Sequence, residues 1–172
     1  MEQLIIEAGI DADHTDLLIL YRAVAATEGG LARTQAEITD EYVAYFLRHA
    51  QLSGYCLLAR AEKGSPPIGE IHTYALGPRV FAHVLGELTI AVHPAYQGRG
   101  VGKALFIELL HRVETERPDI LRVELIARES NRKAIAFYQK LGFQIEGRLE
   151  RRIHSTDGNG FEADIPMAWL RG

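Results

Sequence analysis

The segment from Leu88 to Val113 constrains the fold of this chain more than any other. It begins with a short apolar, β-branched run that Pro94 closes, which predicts a buried strand. Three glycines follow, and apolar side chains then recur at helical spacing, at Val101, Leu105, Phe106, Leu109, Leu110 and Val113. The chain is therefore predicted to pass from a strand, through a glycine-rich turn, into a helix with one buried side.

The glycine-rich turn is typical of an anion site. Glycine permits positive φ and a close approach of the backbone to a ligand, and the first N–H groups of a helix lack intrahelical partners. Phosphate is the anion such a turn most often binds. Two common phosphate-binding patterns do not fit this turn. The dinucleotide fingerprint requires glycine at position 103, which is Lys103 here. The P-loop requires glycine at position 97 and Ser or Thr at position 104, which are Gln97 and Ala104 here. A tight turn without a ligand is the alternative.

Length and charge limit the class of protein. The 172 residues suit one domain, spanning 1–172, and the formal net charge of −4 offers no general attraction to nucleic acid or to an anionic membrane. The one cysteine, Cys56, lies in an apolar run and predicts a buried thiol rather than a disulfide. No apolar run approaches the ~18 residues of a membrane span, and no signal segment opens the chain, so a cytoplasmic location is expected.

Periodicity and turn residues predict seven strands and four helices. The strands cover 4–8, 53–61, 68–75, 88–92, 121–125, 143–149 and 161–169, and the helices cover 16–27, 38–51, 101–113 and 131–141. The run from Asp157 to Gly160 predicts a hairpin turn, and Pro166 predicts an edge strand or a bulge. This order predicts a mixed α+β (α/β mixed) fold with helices packed on a sheet.

Two motifs resemble those of the GCN5-related N-acetyltransferase (GNAT) family. Gln97, Gly100 and Gly102 fit its acyl-CoA loop, Gln/Arg-x-x-Gly-x-Gly/Ala, between the expected strand and helix. The stretch 127–143 is similar to its downstream motif, with Asn131, then Ala134, a Phe-Tyr pair and a closing Leu-Gly-Phe. With the element order, the resemblance covers nearly the whole chain. It implies the GNAT fold, a central, mostly antiparallel sheet of about seven strands flanked by four helices, and it is compatible with a homodimer.

The resemblance also implies a reaction. Family members transfer an acetyl group from acetyl-CoA to a primary amine by direct attack in a ternary complex, without a metal. Tyr138 matches the position of the acid that protonates the leaving thiolate, and Glu87 the position of a carboxylate that takes the amine's proton. A tyrosine that only packs and a solvated glutamate are the alternatives. Further candidates for proton transfer are His72, His83, His93 and, more weakly, Glu70.

The same resemblance implies how acetyl-CoA is bound. Backbone N–H groups of the glycine-rich turn would hold the pyrophosphate, and the central strand would bond to the pantetheine arm like an added strand. Asn131 matches a residue that contacts this arm, although asparagine there is also a good N-cap. Arg99 and Lys103 either add charge near the phosphates or are solvated. The predicted cofactor-binding residues are Ile90, Ala91, Val92, Gln97, Gly98, Arg99, Gly100, Val101, Gly102, Lys103, Asn131 and Tyr138.

The acceptor is the least determined part of the prediction. The resemblance implies an acceptor site built largely from the first two helices, their connection and the last hairpin, for which the segments 27–37, 73–83 and 148–160 are expected here. Scattered acids would favour a cationic amine, whereas the basic run of Arg148, Arg151, Arg152 and His154 would favour an acidic acceptor. A small-molecule or amino-acid-like amine is the first interpretation. The alternatives are a peptide or protein N-terminus or lysine, and a non-catalytic acyl-CoA-binding regulatory module.

Overall fold

The computed structural model describes residues 4–27, 29–154 and 160–172. The strands are β1 (Ile5–Ala8), β2 (Tyr55–Arg60), β3 (Gly69–Ala75), β4 (Val84–Val92), β5 (Arg122–Arg128), β6 (Gln144–Ile145), β7 (Leu149–His154) and β8 (Phe161–Leu170). The helices are α1 (His14–Ala25), α2 (Asp40–Ser53), α3 (Val101–Glu116) and α4 (Arg132–Lys140). The predicted α+β class with four helices is confirmed in these residues.

The strands form one mostly antiparallel sheet. Its order is β1-β2-β3-β4-β5-β8, and the short strands β6 and β7 both pair with β8. Every neighbouring pair is antiparallel except β4 and β5, which are parallel. Parallel neighbours require a long crossover connection, and helix α3 lies in the connection between these two strands.

Two hydrophobic clusters cover the two faces of the sheet. On one face, α1 and α2 bury Tyr21 and Phe46 against β2, β3 and β4. On the other, α3 buries the predicted apolar stripe, with Leu105 and Leu109 at 0% exposure, and the half-buried side of α4 packs beside it. Each fully buried leucine contributes about 1.5–3 kcal/mol through the apolar area that it removes from water. The helices are therefore held mainly by their apolar stripes.

Strands β4 and β5 separate soon after they meet. Only Val84 and Leu85 of β4 pair with β5, so the rest of β4 has no ladder on that side. A bulge in β4 lies just beyond the last pair, where Glu87 has φ +52 and the register with β3 shifts by one residue. We call this opening between β4 and β5 the seam.

The C-terminal strands differ from the sequence-based prediction. The predicted strand 143–149 is interrupted after Ile145, and pairing with β8 resumes at Leu149 with a register shift. Pro166 lies in an interior strand, paired with Ile126 of β5 and opposite this interruption, so the prediction of a bulge is right and that of an edge is wrong. Proline cannot donate to a ladder, and the interruption accommodates the missing donor. Most of the predicted hairpin turn, 157–159, lies outside the described residues.

Candidate active site

The glycine-rich turn between β4 and α3 has the backbone of an anion site. Gly98 and Gly100 adopt positive φ, +74 and +85, and an added Cβ at either would meet no atom within 4 Å. Gly100 is the N-cap of α3, and its carbonyl accepts the first helical hydrogen bond from the N–H of Ala104 at 2.9 Å. The N–H groups of residues 101–103 precede that bond and form the positive end of the helix dipole.

A cleft of about 420 Å³ runs from this turn to α4. Its walls combine the turn, the side chains of Ile90 and Val92 on β4, and residues of α4. Gly102 lies at the contact between strand and helix, where an added Cβ would stand 3.4 Å from the Cδ1 of Ile90. The cleft thus reaches from a helix N-terminus to the seam, on the α3 side of the sheet.

A second cavity, of about 480 Å³, lies on the opposite side of β4 and is here called the acceptor cavity. Its lining residues are Arg33, Tyr42, Tyr45, Phe46, His49, His72, Tyr74, Ala75, Leu76, Gly77, Glu87 and Thr89. Successive side chains of a strand point to opposite faces, so Thr89 faces this cavity while Ile90 faces the cleft. The two cavities thus lie on opposite faces of β4, along the part of this strand that does not pair with β5.

Glu87 stands at the bulge of β4 and is exposed within the acceptor cavity. The left-handed backbone of a non-glycine residue costs about 1–2 kcal/mol, so the surrounding structure imposes this conformation. Nearby, burial and then the charge of Glu87 raise the pKa of Tyr74 to about 12. Tyr74 therefore faces the cavity as a neutral phenol at physiological pH.

Tyr138 lies at the α4 side of the cleft. Its ring packs on Phe106, with ring centroids 5.1 Å apart, and on Phe143 at 6.1 Å. Burial raises the pKa of the Tyr138 phenol, so the hydroxyl keeps its proton at neutral pH. It can therefore serve as a hydrogen-bond or proton donor inside the cleft.

Comparison of this chain with known proteins establishes the family to which it belongs. A model described as "Acetyltransferase (GNAT) family" matches residues 20–143, well over half of the chain and including both motifs. The chain belongs to the GNAT acetyltransferase family. A GNAT-family acetyltransferase structure from Streptococcus pneumoniae has the same fold, with a TM-score of 0.84, 24% identity and coverage of 99% of this chain and 100% of that one. The predicted GNAT fold is confirmed, with eight strands rather than about seven.

Two curated relatives are similar over the part of the chain that carries the motifs. The N-alpha-acetyltransferase RimI of Mycobacterium tuberculosis is 35% identical over 107 residues, which are 62% of this chain and 54% of that protein. The [Ribosomal protein bS18]-alanine N-acetyltransferase of Escherichia coli K12 is 42% identical over 88 residues, 49% of this chain and 57% of that protein. The matches thus span little more than half the length of these relatives.

The structure brings most of the predicted cofactor residues of this GNAT chain together. Those that line the cleft are Ile90, Val92, Gln97, Gly98, Gly100, Val101, Gly102, Lys103 and Tyr138. The Ala91 side chain is buried on the opposite face of β4, and Arg99 lies over the ring of Tyr96, 5.4 Å from its centroid. Asn131 caps α4 by accepting from the N–H of Ala134 at 3.2 Å and does not line the cleft. Their cofactor contacts remain predictions.

The cleft fits an acyl-CoA. Gly98 and Gly100 leave open space where side chains would otherwise stand, and unpaired helix N–H groups face the same end, as a pyrophosphate requires. The His93 N–H donates to the carbonyl of Ile68, which directly precedes β3, so alternate residues Ile90 and Val92 direct their backbone groups toward the seam. The Val92 carbonyl accepts from Nε2 of Gln97 at 3.1 Å, and the other groups are available to an extended amide chain such as pantetheine.

The histidine candidates lie in different surroundings. His83 is exposed, and the Nδ1 of His93 accepts the N–H of Ala95 at 3.2 Å as a local cap. His72 is buried in the wall of the acceptor cavity beside Glu70. Within the described ranges, no group of three or more His, Cys, Asp or Glu side chains is arranged to hold a metal ion. No helix there has both the length and the apolar composition to cross a membrane.

The sequence predicts that the first two helices contribute to the acceptor site, but it did not assign the residues of α2 that line the acceptor cavity. Tyr42, Tyr45, Phe46 and His49 share one face of this helix at the spacing i, i+3, i+4 and i+7, and all four line the cavity. Of the predicted acceptor segments, 27–37 contributes Arg33 and 73–83 contributes Tyr74 to Gly77, while the described part of 148–160 lines neither cavity. The aromatic stripe was the available signal.

Proposed function

We propose that this protein is an acetyl-CoA-dependent N-acetyltransferase acting on a primary amine by direct attack in a ternary complex. The observation that carries the proposal is the pair of cavities on opposite faces of β4, along the part of this strand that has no ladder with β5. One has the backbone donors for a phosphate-bearing co-substrate, and the other has a carboxylate for an amine. An amine and a thioester entering from opposite faces would meet where the sheet is open.

Residues of the cleft would hold acetyl-CoA, which supplies the acetyl thioester. The N–H groups at the start of α3 would bind its pyrophosphate, with Lys103 and Lys133 as cations along the cleft. The backbone of Ile90 and Val92 would align the pantetheine arm along the open edge of β4. Fixing the thioester in one orientation removes much of the entropic cost of a bimolecular reaction.

Glu87 would hold the ammonium group of the acceptor and begin its deprotonation. An amine attacks a thioester only when it is neutral, so a proton must leave before or during attack. Glu87 is the carboxylate of the acceptor cavity, and the bulge aims it into that space. Its exposed position allows the proton to pass through water.

Tyr138 would stabilise the departing thiolate. Its phenol is neutral, since burial raises its pKa, and it lines the cleft that would contain the thioester. The raised pKa also makes it a weaker acid than a free thiol, so complete proton transfer to the thiolate requires resupply from the amide nitrogen. A hydrogen bond that strengthens as charge develops on sulfur lowers the barrier in either case.

The acceptor cavity favours a small, amino-acid-like amine. Its volume of about 480 Å³ is typical of a site for a small molecule. It contains both an anion, Glu87, and a cation, Arg33, whose guanidinium lies 4.4 Å from the centroid of the Tyr42 ring. No carboxylate of the described residues lies within ion-pair distance of Arg33. An acceptor carrying both an ammonium and a carboxylate would satisfy both charges.

A protein N-terminus is the second candidate acceptor. The curated relatives are named for N-alpha-acetylation, and in one case for the alanine of a ribosomal protein. A peptide N-terminus would present its ammonium to Glu87 but would place a neutral amide where a free amino acid has its carboxylate. Arg33 therefore discriminates between the two candidates.

The test is release of free CoA from acetyl-CoA with matched acceptors. For each of several amino acids, the free acid, its decarboxylated amine and a short peptide beginning with it are compared at one pH. Turnover with any amine supports the proposed reaction, and CoA binding measured by calorimetry without turnover across the set would favour the non-catalytic module. Preference for the free acid, lost in Arg33→Gln, supports the amino-acid-like acceptor. Preference for the peptide supports an N-terminal acceptor.

A further inference from the structure

Four polar or ionisable side chains form a buried cluster behind the acceptor cavity. Glu70 and Tyr21 are 0% exposed, His72 is 2% exposed and Cys56 is 6% exposed. Glu70 and His72 are two residues apart on β3 and so share a face, Cys56 is the cross-strand neighbour of His72 on β2, and Tyr21 reaches them from α1. Burying such groups costs several kcal/mol unless each is hydrogen-bonded, and apolar residues would fill the space at lower cost.

The hydrogen bonds of this cluster define its protonation. The Tyr21 hydroxyl donates to Oε2 of Glu70 at 2.5 Å, and the Cys56 thiol donates to Oε1 at 3.3 Å. Burial, followed by the charge of Glu70, raises the pKa of both Tyr21 and Cys56, so both remain protonated donors. The carboxyl group of Glu70 is therefore surrounded by donors.

The same network fixes the tautomer of His72. Its Nδ1 lies 3.2 Å from both carboxylate oxygens of Glu70 and 3.2 Å from the oxygen of Tyr21, whose only proton is already donated. Because every partner of Nδ1 is an acceptor, Nδ1 carries the proton. In the neutral ring, the lone pair is then on Nε2.

The ring of His72 is also held in one orientation. It stacks on Phe46 with centroids 4.1 Å apart and an interplanar angle of 6°, and it forms part of the wall that contains Glu87 and Thr89. Thr89 is its cross-strand neighbour on β4. A carboxylate that orients a histidine, whose second nitrogen is left free beside a substrate cavity, is an arrangement suited to accepting a proton.

We propose that His72 is the final acceptor of the proton that leaves the substrate ammonium, and that Glu70 is its positioning residue. This inference rests on the proposed acetyltransferase activity and adds to it. Glu87 holds the ammonium at the exposed end of the cavity and passes its proton, through water, to Nε2 of His72. The negative charge of Glu70 stabilises the resulting imidazolium.

All bonds and protons of the reaction are accounted for when His72 accepts the first proton. The ammonium loses one proton to His72, and the neutral nitrogen attacks the thioester carbonyl carbon, forming the C–N bond. The C–S bond then breaks, and the thiolate receives a proton from the Tyr138 hydroxyl. The second proton of the new amide nitrogen returns to Tyr138, and His72 releases its proton to solvent. The products are the N-acetylated amine, CoA with a free thiol and one proton.

The pH dependence of turnover tests this role. The charged or titratable groups facing His72 are Glu70 and Tyr74 from β3, Tyr21 from α1, Cys56 from β2, Tyr42 and His49 from α2, Arg33 and Glu87. His72→Gln should lower kcat by about 10²-fold or more and change the pH profile of kcat, with little change in CoA affinity.

Glu70→Gln distinguishes positioning from packing. It conserves shape but places an amide beside Nδ1 where the carboxyl group accepts, so kcat should fall, by less than in His72→Gln, and the pH profile of kcat should change. A structural role would lower the melting temperature and leave the profile in place. His111→Gln, at an exposed histidine of α3 outside both cavities, is the matched control and should retain the wild-type profile.

Nitrogen-15 NMR of the histidine rings in the wild type keeps the test independent of whether the variants fold. The proposal requires the Nδ1–H tautomer for the neutral His72 ring. A proton on Nε2, or a folded His72→Gln variant with turnover within threefold of wild type and the same pH profile, would overturn it. A wild type that acetylates no amine would instead refute the proposed activity, since the tautomer is measured without turnover.

Discussion

Two substitutions of the N-cap glycine of α3, to aspartate and to asparagine, test the proposed anion site by charge alone, because both variants change the backbone in the same way. Gly100 has φ +85, and a side chain there would meet no protein atom within 4 Å. Gly100→Asp and Gly100→Asn therefore have the same size and pay a similar cost for the left-handed backbone, which asparagine and aspartate tolerate better than other residues. They differ by one negative charge at the point where the phosphates of CoA would bind.

The charge acts in opposite directions on folding and on binding. A carboxylate at the positive end of the α3 dipole stabilises the ligand-free fold by about 0.3–1 kcal/mol. The same carboxylate at ~5 Å from one phosphate charge costs about 1–3 kcal/mol, for effective dielectric constants between water and a protein surface. We therefore expect the aspartate variant to melt at or above the temperature of the asparagine variant and to bind CoA about 5- to 150-fold more weakly.

Calorimetric titration with CoA and thermal melting of the ligand-free protein give the two quantities. The difference in Kd between the variants should shrink as salt is raised from 50 to about 500 mM, because exposed charges are screened. If the two variants bind CoA within twofold of each other at low salt, the phosphates do not bind at this turn. The assignment of the glycine-rich turn as the anion site would then be wrong.

Three further predictions concern other parts of the molecule. Tyr138→Phe keeps the packing on Phe106 and should lower turnover by about 10²-fold, with Kd for CoA and the melting temperature near wild type; full activity would remove the donor role. Thr39 accepts the N–H of Tyr42 at the start of α2, so Thr39→Ala should cost about 1 kcal/mol, or roughly 2–4 °C in melting temperature. Burial and the bond to Glu116 raise the pKa of Tyr55 from 10.0 to about 12, so its contribution to stability is complete below pH 10 and is lost as pH rises toward 12. Melting of Tyr55→Phe should therefore be less sensitive to pH in this window, and an unchanged pH dependence would contradict this.

Features set by local sequence were predictable. The strand, glycine-rich turn and helix of residues 88–113 follow from the apolar period and from positions that only glycine occupies without strain. The structure has all three, but β4 begins at Val84 rather than at Leu88, and α3 continues to Glu116. Thr39 and Asn131 cap their helices for the same local reason. The resemblance to the GNAT family rested on these local features, and the family model confirms it.

Features set by contacts between distant segments were not predictable. The aromatic stripe of α2 indicates burial but not whether it faces the sheet or a cavity, because that depends on how far β3 and β4 extend beneath it. Strand parity places Glu70 and His72 on one face, yet Tyr21 reaches them across about 50 residues of chain. The interruption after Ile145 likewise depends on the missing donor of Pro166 on the partner strand.

The seam gives the ligand-free sheet an unpaired edge in its interior. Such an edge can template pairing with another extended chain, and it makes the two halves of the sheet less cooperative in unfolding. Under the proposed function, the amide groups of CoA supply the hydrogen bonds that β4 lacks on this side. At 100 times its Kd, the co-substrate would add about 2.7 kcal/mol to stability. Protein freed of CoA should therefore exchange the amide hydrogens of Ile90 and Val92 faster and aggregate sooner than the same protein stored with it.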